Sequence, residues 1–270
     1  KSLHRLFSTV REINVLVTKE DTLPDFDFYA PLLSLPSILN TTLKTIPVHI
    51  PYLFADDHIV SPIITQPKVL NIGIVWAGNP RHQNDKNRSI KLSFFSAITN
   101  IHDTQFYSLQ VGDQRADLNQ EAFASQIIDV GKHLSDYVKT ATVINQLDLI
   151  ITVDTSVAHL AGAMGKPVWV LLPFAPDWRW LLERDDSPWY PTMRLFRQQE
   201  IGNWTTVFNE VNEALEAYRM TISKDLDLSE VLSSTINAFK VDNISEGNKK
   251  LADLLELLDL STGGLPEEKI

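Results

Sequence analysis

The chain has 270 residues, of which 44% are hydrophobic, with 10 glycines and 14 prolines, so it resembles an ordinary globular protein long enough for two modest domains. The absence of cysteine excludes disulfides, thiolate metal sites and a cysteine nucleophile, and it leads us to expect a cytoplasmic protein. The net charge of −10 argues against a nucleic-acid partner, and no apolar run approaches the roughly 20 residues of a membrane span.

Residues 1–66 contain two strand-like runs, INVLVT at 13–18 and FDFYA at 26–30. Prolines at positions 47, 51, 62 and 67 are typical of an interdomain connection. Two strands are too few for a complete α/β domain. We therefore predict a partial N-terminal α/β domain over residues 1–66, and we expect the chain to be a fragment of a longer protein.

Residues 67–220 alternate short β-branched or aromatic runs with helical stretches. The runs are LNIGIVWA (70–77), QFYSL (105–109), QIIDV (126–130), DLIITV (148–153), PVWVLL (167–172) and MRLFRQ (193–198). Such alternation is typical of a parallel sheet covered by helices, and the nearly continuous apolarity of 148–153 and 167–172 predicts central strands. Helices are predicted at about 91–100, 114–124, 135–146, 155–164, 177–184 and 203–220.

Residues 221–270 differ in composition from the rest of the chain. They hold ten acidic residues and five lysines, a balance that supplies half of the net negative charge. Two amphipathic segments, 228–239 and 247–260, predict a helical tail. Because the face opposite the leucines is mostly acidic, we expect this tail to pack on protein rather than on a membrane.

The junction after the run 148–153 reads DTSVAHLAGAMGKP, from Asp154 to Pro167. A strand that turns directly into a helix of small residues places free backbone amides, the hydroxyls of Thr155 and Ser156 and the positive end of the helix dipole at one point. His159 follows four and three residues later, on the same side of the first helical turns. We predict an anion site whose natural ligand is a diphosphate. The alternative is that Thr155 and Ser156 serve only as helix caps.

Three further segments follow predicted strands, and they therefore share the edge of the sheet at which open α/β proteins bind ligands. Their candidate ligand-binding residues are Gly78, Asn79, Arg81, Lys86 and Arg88 after the first run, Gln110 after the second, and Asp177, Trp178 and Arg179 after the fifth. Cations, backbone edges and aromatic side chains on one rim suit a nucleoside diphosphate that carries a sugar. The basic loop could also be a solvated turn, and the tryptophans could simply plug the sheet edge.

These segments, namely IVWAGNPRHQNDKNRSI, FYSLQVG and DLIITVDTSVAHLAGAMGKPVWVLLPFAPDWRWLLERDDSPWYPTMRLFRQ, resemble the C-terminal region of bacterial glycosyltransferases found behind tetratricopeptide repeats. That group is similar to the ADP-heptose heptosyltransferases of family 9 and, more distantly, to protein O-linked N-acetylglucosamine transferases. The most specific element is D-T-x-x-x-H-L-A-x-A, which begins at Asp154. The resemblance covers about residues 20–215, weakly before Leu70. It implies a GT-B fold, in which two Rossmann-like domains face each other and the C-terminal one, here 67–220, holds the nucleotide-sugar donor.

The resemblance places the donor diphosphate against Asp154, Thr155, Ser156 and His159, with the basic loop nearby. It also implies catalysis without a bound divalent ion, because helix amides, His159 and a loop cation can stabilise the leaving nucleoside diphosphate. The Asp-x-Asp elements at 25–27 and 225–227 are interpreted as chance occurrences. In such enzymes the general base usually comes from near the first strand of the N-terminal, acceptor-side domain. That strand is missing here, so we assign no catalytic residue.

The preferred hypothesis is a glycosyltransferase of hexosyl- or heptosyltransferase type, without a cofactor, that moves a sugar from a nucleoside-diphosphate sugar to a protein or glycan acceptor. One alternative is a non-catalytic nucleotide-sugar sensor or scaffold. Another is a nucleotide-sugar epimerase of the 2-epimerase type, which needs acid and base residues in both domains.

Overall fold

The computed structural model describes the backbone of residues 3–63 and 65–240, and the side chains in these ranges as far as residue 222. The strands are β1 (Leu70–Val75), β2 (Thr104–Ser108), β3 (Ile127–Asp129), β4 (Leu149–Val153), β5 (Val168–Leu172) and β6 (Met193–Arg197). The α-helices are α1 (His4–Phe7), α2 (Leu35–Ile38), α3 (Asp85–Arg88), α4 (Tyr137–Asn145), α5 (Ser156–Ala163) and α6 (Trp204–Lys240). Short 3₁₀ helices occupy Leu32–Ser34, Leu92–Ala97, Asp113–Asn119, Ala122–Gln126, Gly131–His133 and Trp178–Trp180.

The six strands form one sheet in the order β3-β2-β1-β4-β5-β6, and every pairing is parallel. Five strands lie within predicted runs and β2 begins one residue before its run, so the predicted α/β class and the parallel sheet are confirmed. The chain winds from β1 outward to β3 and then returns to β4 on the other side of β1. The strand order therefore reverses between β1 and β4, as in a Rossmann-like domain.

The centre of the sheet is buried on both faces. Every residue of β1, β4 and β5 is buried, which confirms the two predicted central strands and explains their continuous apolarity. Close packing at β1 depends on Gly73, because a Cβ atom at this position would come within 2.8 Å of the side chains of Leu147 and Ile150. Helix α4 is capped by Asp136, whose carboxylate accepts a hydrogen bond from the Lys139 amide at 2.9 Å.

Three predicted helices are wrong, because the ranges 91–100, 114–124 and 177–184 form short 3₁₀ helices instead. In the range 177–184, side chains from later in the sequence bind backbone carbonyls that a longer α-helix would need for its own hydrogen bonds. The indole of Trp189 donates to the Arg179 carbonyl at 2.9 Å, and the Arg197 guanidinium donates to the Trp180 carbonyl at 2.5 Å. In the range 114–124, the carboxylate of Asp117 accepts a hydrogen bond from the buried indole of Trp76 at 2.9 Å.

The two strands predicted near the N-terminus are also wrong. Neither 13–18 nor 26–30 is extended in a sheet, and the described residues before Leu70 contain no strand. A strand requires a neighbour that completes its backbone hydrogen bonds, and neither edge of the sheet, β3 or β6, takes these runs as a partner. The predicted partial N-terminal α/β domain therefore has no sheet among its described residues.

The described N-terminal residues have few buried side chains. Phe28 is 94% exposed and Leu33 is 84% exposed, whereas Leu6 of α1 is buried in the main hydrophobic core. The amides of Tyr52 and Leu53 both donate to the carbonyl of Ala163, at 2.9 and 3.3 Å. Residues 52 and 53 are thus fixed to the last turn of α5.

The chain divides into two compact units, Lys1–Glu213 and Ala214–Ile270. Helix α6 begins in the first unit, and it confirms the helix predicted at 203–220 and the helical nature of 228–239. The predicted segment 247–260 lies outside the described residues. Within the part of the chain that the structure describes, no helix is both long and apolar enough to cross a membrane. The domain boundaries predicted after residues 66 and 220 stay predictions.

Candidate functional site

A cavity of about 490 Å³ lies at the carboxyl ends of β1 and β2, beside the start of α5. Its walls come from residues 77–80 after β1, residues 109–114 after β2, residues 155–157 at the start of α5, and from Val75, Arg88 and Tyr137. This position is the point at which the strand order reverses, where the connections after β1 and β4 turn to opposite sides and leave a crevice. The topology alone therefore favours this cavity as a ligand site.

The start of α5 supplies one wall of the cavity. The Thr155 hydroxyl caps the helix, because it accepts from the Val157 amide at 3.3 Å, and it also lies 3.1 Å from the Thr152 hydroxyl. The Ser156 hydroxyl accepts from the Tyr137 hydroxyl at 2.8 Å. Thr155 thus performs the capping role that was the alternative interpretation, while both residues still line the cavity. Because the helix begins here, its positive dipole end also points toward this space.

Arg88 connects the loop after β1 to the end of β4. Its Nη1 donates to the Asp154 carbonyl at 2.8 Å, and its Nε lies 3.2 Å from a carboxylate oxygen of Asp85. Both side chains of this ion pair are only 12% exposed. Gly78 makes room for them, since a Cβ atom at Gly78 would lie 2.5 Å from Arg88 Nη2 and 2.7 Å from Asp85 Oδ1. The cation is therefore held rigidly on the cavity wall.

Gln110 lines the cavity, but its side-chain amide is fully engaged with protein backbone. Its Oε1 accepts from the amides of Trp76 and Ala77 at 3.2 and 3.0 Å, and its Nε2 donates to the carbonyls of Ala77 and Val111, both at 3.0 Å. The side chain is 2% exposed. Gln110 therefore joins the loops after β1 and β2 rather than presenting a free amide to a nucleobase or ribose.

Gly131, which the sequence interpretation missed, lies directly beneath Gln110. A Cβ atom at Gly131 would overlap the carbonyl oxygen of Gln110, which cannot move without displacing the loop that lines the cavity. Tyr137 was missed as well, because its contact with Ser156 joins residues 19 positions apart. Nothing in the local sequence around either residue signals these contacts.

His159 does not lie on the wall of the cavity. Its ring stacks on Trp180, with ring centroids 5.3 Å apart, and its Nδ1 lies 3.2 Å from the hydroxyl of Tyr190. Its Nε2 lies 3.8 Å from a carboxylate oxygen of Asp154. Burial lowers the pKa of His159 below the ordinary value of 6.5, although Asp154 partly opposes this shift. The imidazole is therefore neutral at neutral pH.

The residues predicted after β5 lie near His159. Asp177 accepts from the amide of Arg179 at 3.1 Å and forms a 2.6 Å ion pair with the Arg179 guanidinium. That guanidinium lies 4.9 Å from the centre of the Trp178 ring, and Trp178 packs edge-on against Trp189 at 6.1 Å. Trp178 is 63% exposed. We refer to His159, Asp177, Trp178, Arg179 and Tyr190 as the aromatic cluster.

The structure separates the other predicted cations from the cavity. Arg81 is exposed, and its amide donates to the Asn79 side chain at 3.0 Å. Lys86 lines a different and smaller cavity of about 200 Å³, together with residues 173–175 and Gln198. Of the three loop cations, Arg88 is the one on the wall of the main cavity, where Gly78 and Asn79 also lie.

Asp154 links the cavity to the aromatic cluster. Its backbone carbonyl binds Arg88, which lines the cavity, and its carboxylate faces His159. The predicted residues therefore form two groups on either side of the first turn of α5. Thr155, Ser156, Arg88, Gly78, Asn79 and Gln110 line the cavity, and His159, Asp177, Trp178 and Arg179 lie in the cluster.

The fold and the cavity define an α/β protein of Rossmann-like architecture with a crevice at the strand-order reversal. No model of a known protein family matches the chain. The chain is 24% identical over 204 residues to Protein FlbA of Caulobacter vibrioides, an alignment that covers 72% of this chain. It spans only about a third of the length of that relative, namely 33%.

Proposed function

We propose that this chain is the donor-binding portion of a GT-B glycosyltransferase, which moves a sugar from a nucleoside-diphosphate sugar to a protein or glycan acceptor. The single observation that carries the proposal is the cavity at the strand-order reversal, walled by a helix N-terminus and a buried arginine. The sequence resemblance supports the same function.

The diphosphate of the donor is assigned to the cavity wall formed by Thr155, Ser156 and Arg88. The positive end of the α5 dipole and the adjacent guanidinium both favour an anion at this point. The Ser156 hydroxyl already accepts from Tyr137, so its own proton is available to a phosphate oxygen. Gly78 supports this wall, because its missing side chain leaves the space that the ion pair of Arg88 and Asp85 fills.

This arrangement would act on the leaving group of glycosyl transfer. As the bond between sugar and phosphate breaks, negative charge grows on the nucleoside diphosphate. A preorganised guanidinium, a helix dipole and the Ser156 hydroxyl stabilise that charge more strongly in the transition state than in the ground state. The proposed mechanism therefore requires no divalent ion, as the family resemblance implies.

The sugar of the donor, or the acceptor beside it, is assigned to the aromatic cluster. Exposed indole faces such as that of Trp178 pack against apolar sugar faces, and the carboxylate of Asp177 and the guanidinium of Arg179 can bind sugar hydroxyls. Asp154 places this cluster next to the diphosphate site. The general base is not assigned to a residue of this chain.

Binding can be tested with a thermal-shift panel of UDP, GDP, ADP and CMP and their sugar conjugates. A ligand that binds only the native state raises the unfolding temperature by mass action. Ser156→Ala should weaken binding about fivefold to tenfold by removing one hydroxyl donor. Ser125→Ala is the matched control, because Ser125 is also a serine of a helical turn but lies away from the cavity.

Two results would contradict the assigned diphosphate position. One is that none of these nucleotides raises the unfolding temperature of the wild-type protein. The other is that folded Ser156→Ala and Arg88→Met variants bind nucleotide as tightly as the Ser125→Ala control. If a longer natural protein containing this chain binds the donor but neither hydrolyses nor transfers its sugar, the hypothesis of a non-catalytic sensor replaces that of a glycosyltransferase.

A further inference from the structure

Tyr190 forms a hydrogen bond with the imidazole of His159. The Tyr190 hydroxyl lies 3.2 Å from His159 Nδ1, and the two residues are 31 positions apart in the chain. A residue from the segment before β6 is thereby coupled to the site.

The position of Tyr190 is fixed by packing as well as by this hydrogen bond. A Cβ atom at Gly162 of α5 would come within 2.7 Å of the Tyr190 ring, so this ring lies directly against the helix backbone. The His159 ring lies between Tyr190 and Trp180, with centroid distances of 5.8 and 5.3 Å. The imidazole therefore has little freedom to rotate about its own axis.

A neutral imidazole carries its proton on either Nδ1 or Nε2, and its neighbours decide which form is present. The groups that face the His159 ring are the carboxylates of Asp154 and Asp177, the guanidinium of Arg179, and Tyr190. The Asp154 carboxylate lies 3.8 Å from Nε2, and a negative charge there favours the proton on Nε2. With the proton on Nε2, the bare Nδ1 accepts a hydrogen bond.

Tyr190 is suited to donate that hydrogen bond. Burial raises the pKa of Tyr190 above its usual value of 10, so the hydroxyl keeps its proton. A hydrogen bond from Tyr190 to His159 Nδ1 agrees with the preference of Asp154 for Nε2–H.

We propose that Tyr190 is a positioning residue that holds His159 as the Nε2–H tautomer and makes it a hydrogen-bond donor toward the sugar-phosphate region beside Asp154. The inference rests on the proposed function for the identity of the ligand. The tautomer itself is a property of the ligand-free protein. Side-chain partners that fix a histidine tautomer through its second nitrogen are a general device of functional sites.

The decisive experiment is nuclear magnetic resonance of the ring nitrogens in protein labelled with ¹⁵N-histidine. The His159 signals are assigned by their loss in His159→Gln. We expect a neutral ring at neutral pH, with the proton on Nε2 and a hydrogen-bonded Nδ1. In Tyr190→Phe, which keeps the ring but loses the hydroxyl, the Nδ1 signal should move to that of a nitrogen without a hydrogen bond.

Tyr137→Phe is the matched control, because it removes a tyrosine hydroxyl that bonds Ser156 on the cavity side of α5. It should leave the His159 nitrogen signals in place. The proposal is overturned if the wild-type ring carries its proton on Nδ1, or if the Nδ1 signal is the same in Tyr190→Phe as in the wild type.

A double-mutant cycle tests whether Tyr190 acts through His159. The probe is the tightest-binding member of the set UDP-, GDP-, ADP- and CMP-glucose. We expect Tyr190→Phe to weaken binding about fivefold when His159 is present, and by less than about twofold when it is combined with His159→Gln. Equal losses in both backgrounds would overturn the inference. If no member of the set binds, the proposed function fails, whereas the nitrogen signals still decide the tautomer.

Discussion

Polar side chains on the two sides of the first turn of α5 have different surroundings. On the side of β1 and β2, Ser156 and Arg88 line a cavity of about 490 Å³, and the helix dipole points into open space. On the side of β5 and β6, His159 is stacked on Trp180 and bonded to Tyr190, so its ring is shared among protein partners. Residues only three positions apart thus face a ligand site and a packed cluster.

The cavity side of α5 is suited to binding a ligand, whereas the cluster side is suited to holding one side chain in a fixed orientation. On the cavity side, the Ser156 hydroxyl keeps a proton that it can donate to a diphosphate, and the fixed guanidinium of Arg88 lies on the same wall. The cluster side offers instead an imidazole whose orientation is already set, which suits recognition of a ligand atom at one place. The substitutions below test the comparison on both sides, beginning with the largest expected effect.

The backbone wall of the cavity should be the most sensitive element. Gly131→Ala would force a methyl group into the Gln110 carbonyl, so we expect a loss of unfolding free energy of about 3 kcal/mol or more. The measurement is urea unfolding. Gly202→Ala is the control, since Gly202 has a φ of +79° but no atom within 4 Å of an added Cβ, and strain alone should cost about 1 kcal/mol. Similar losses in the two variants would contradict the assigned overlap.

The Arg88 side chain should matter for both stability and binding. Arg88→Met leaves the Asp85 carboxylate and the Asp154 carbonyl without their donor, and we expect a loss of about 2 kcal/mol in urea unfolding. Nucleotide affinity should also fall about tenfold. In the control Arg115→Met, the ion pair with Asp129 is more exposed, at 40% and 27%, so the expected loss is below about 1 kcal/mol. An Arg88→Met variant with unchanged nucleotide affinity would remove Arg88 from the site.

Substitution of Trp178 should change the affinity for the nucleotide sugar rather than the stability of the protein. Because its indole is 63% exposed, Trp178→Ala should change the unfolding temperature little. Calorimetric titration should show about fivefold weaker binding of the nucleotide sugar, with the affinity for the free nucleoside diphosphate unchanged. Phe174→Ala provides the comparison, since Phe174 is a 51% exposed aromatic residue after β5 outside the cluster. Equal weakening by both variants, or weakening of the nucleotide alone, would contradict the assigned sugar position.

The smallest expected effect is the pH dependence that His159 contributes to stability. The pKa of His159 is lowered by folding, so the unfolded chain binds the proton more tightly than the native state. The stabilisation is complete above the unfolded value of 6.5 and is lost as the pH falls below it. Unfolding temperatures measured between about pH 5 and 8 should therefore fall less steeply toward acid in His159→Gln than in the wild type. A steeper or unchanged slope in the variant would contradict the sign of the shift.

The sheet was predictable because each strand carries its own signal. The run 148–153 is apolar at most positions, and this pattern is typical of a strand that is covered on both faces. The junction at Thr155 was equally readable, since a capping residue between a strand and a small-residue helix is a local feature. Local chemistry therefore located the start of α5 and with it one wall of the cavity.

The wrong predictions concern segments whose conformation depends on residues that are distant in the sequence. The range 177–184 has helical sequence, but Trp189 and Arg197 occupy the carbonyls of Arg179 and Trp180. The runs 13–18 and 26–30 have strand-like sequence, but the sheet offers them no edge. The side-chain amide of Gln110 was a predicted ligand contact, but it is bonded instead to backbone groups of Trp76 and Ala77.

By itself, the sequence determined the parallel α/β architecture, the edge of the sheet that carries the polar segments, and the position of the α5 junction. These features depend on hydrophobic pattern and capping, which are written in neighbouring residues. Only the tertiary structure decided that Arg88 lies on the cavity wall while Lys86 does not, and that His159 pairs with Tyr190, 31 residues further along the chain. Such pairings depend on where separate loops meet above the sheet, and no local pattern encodes that distance.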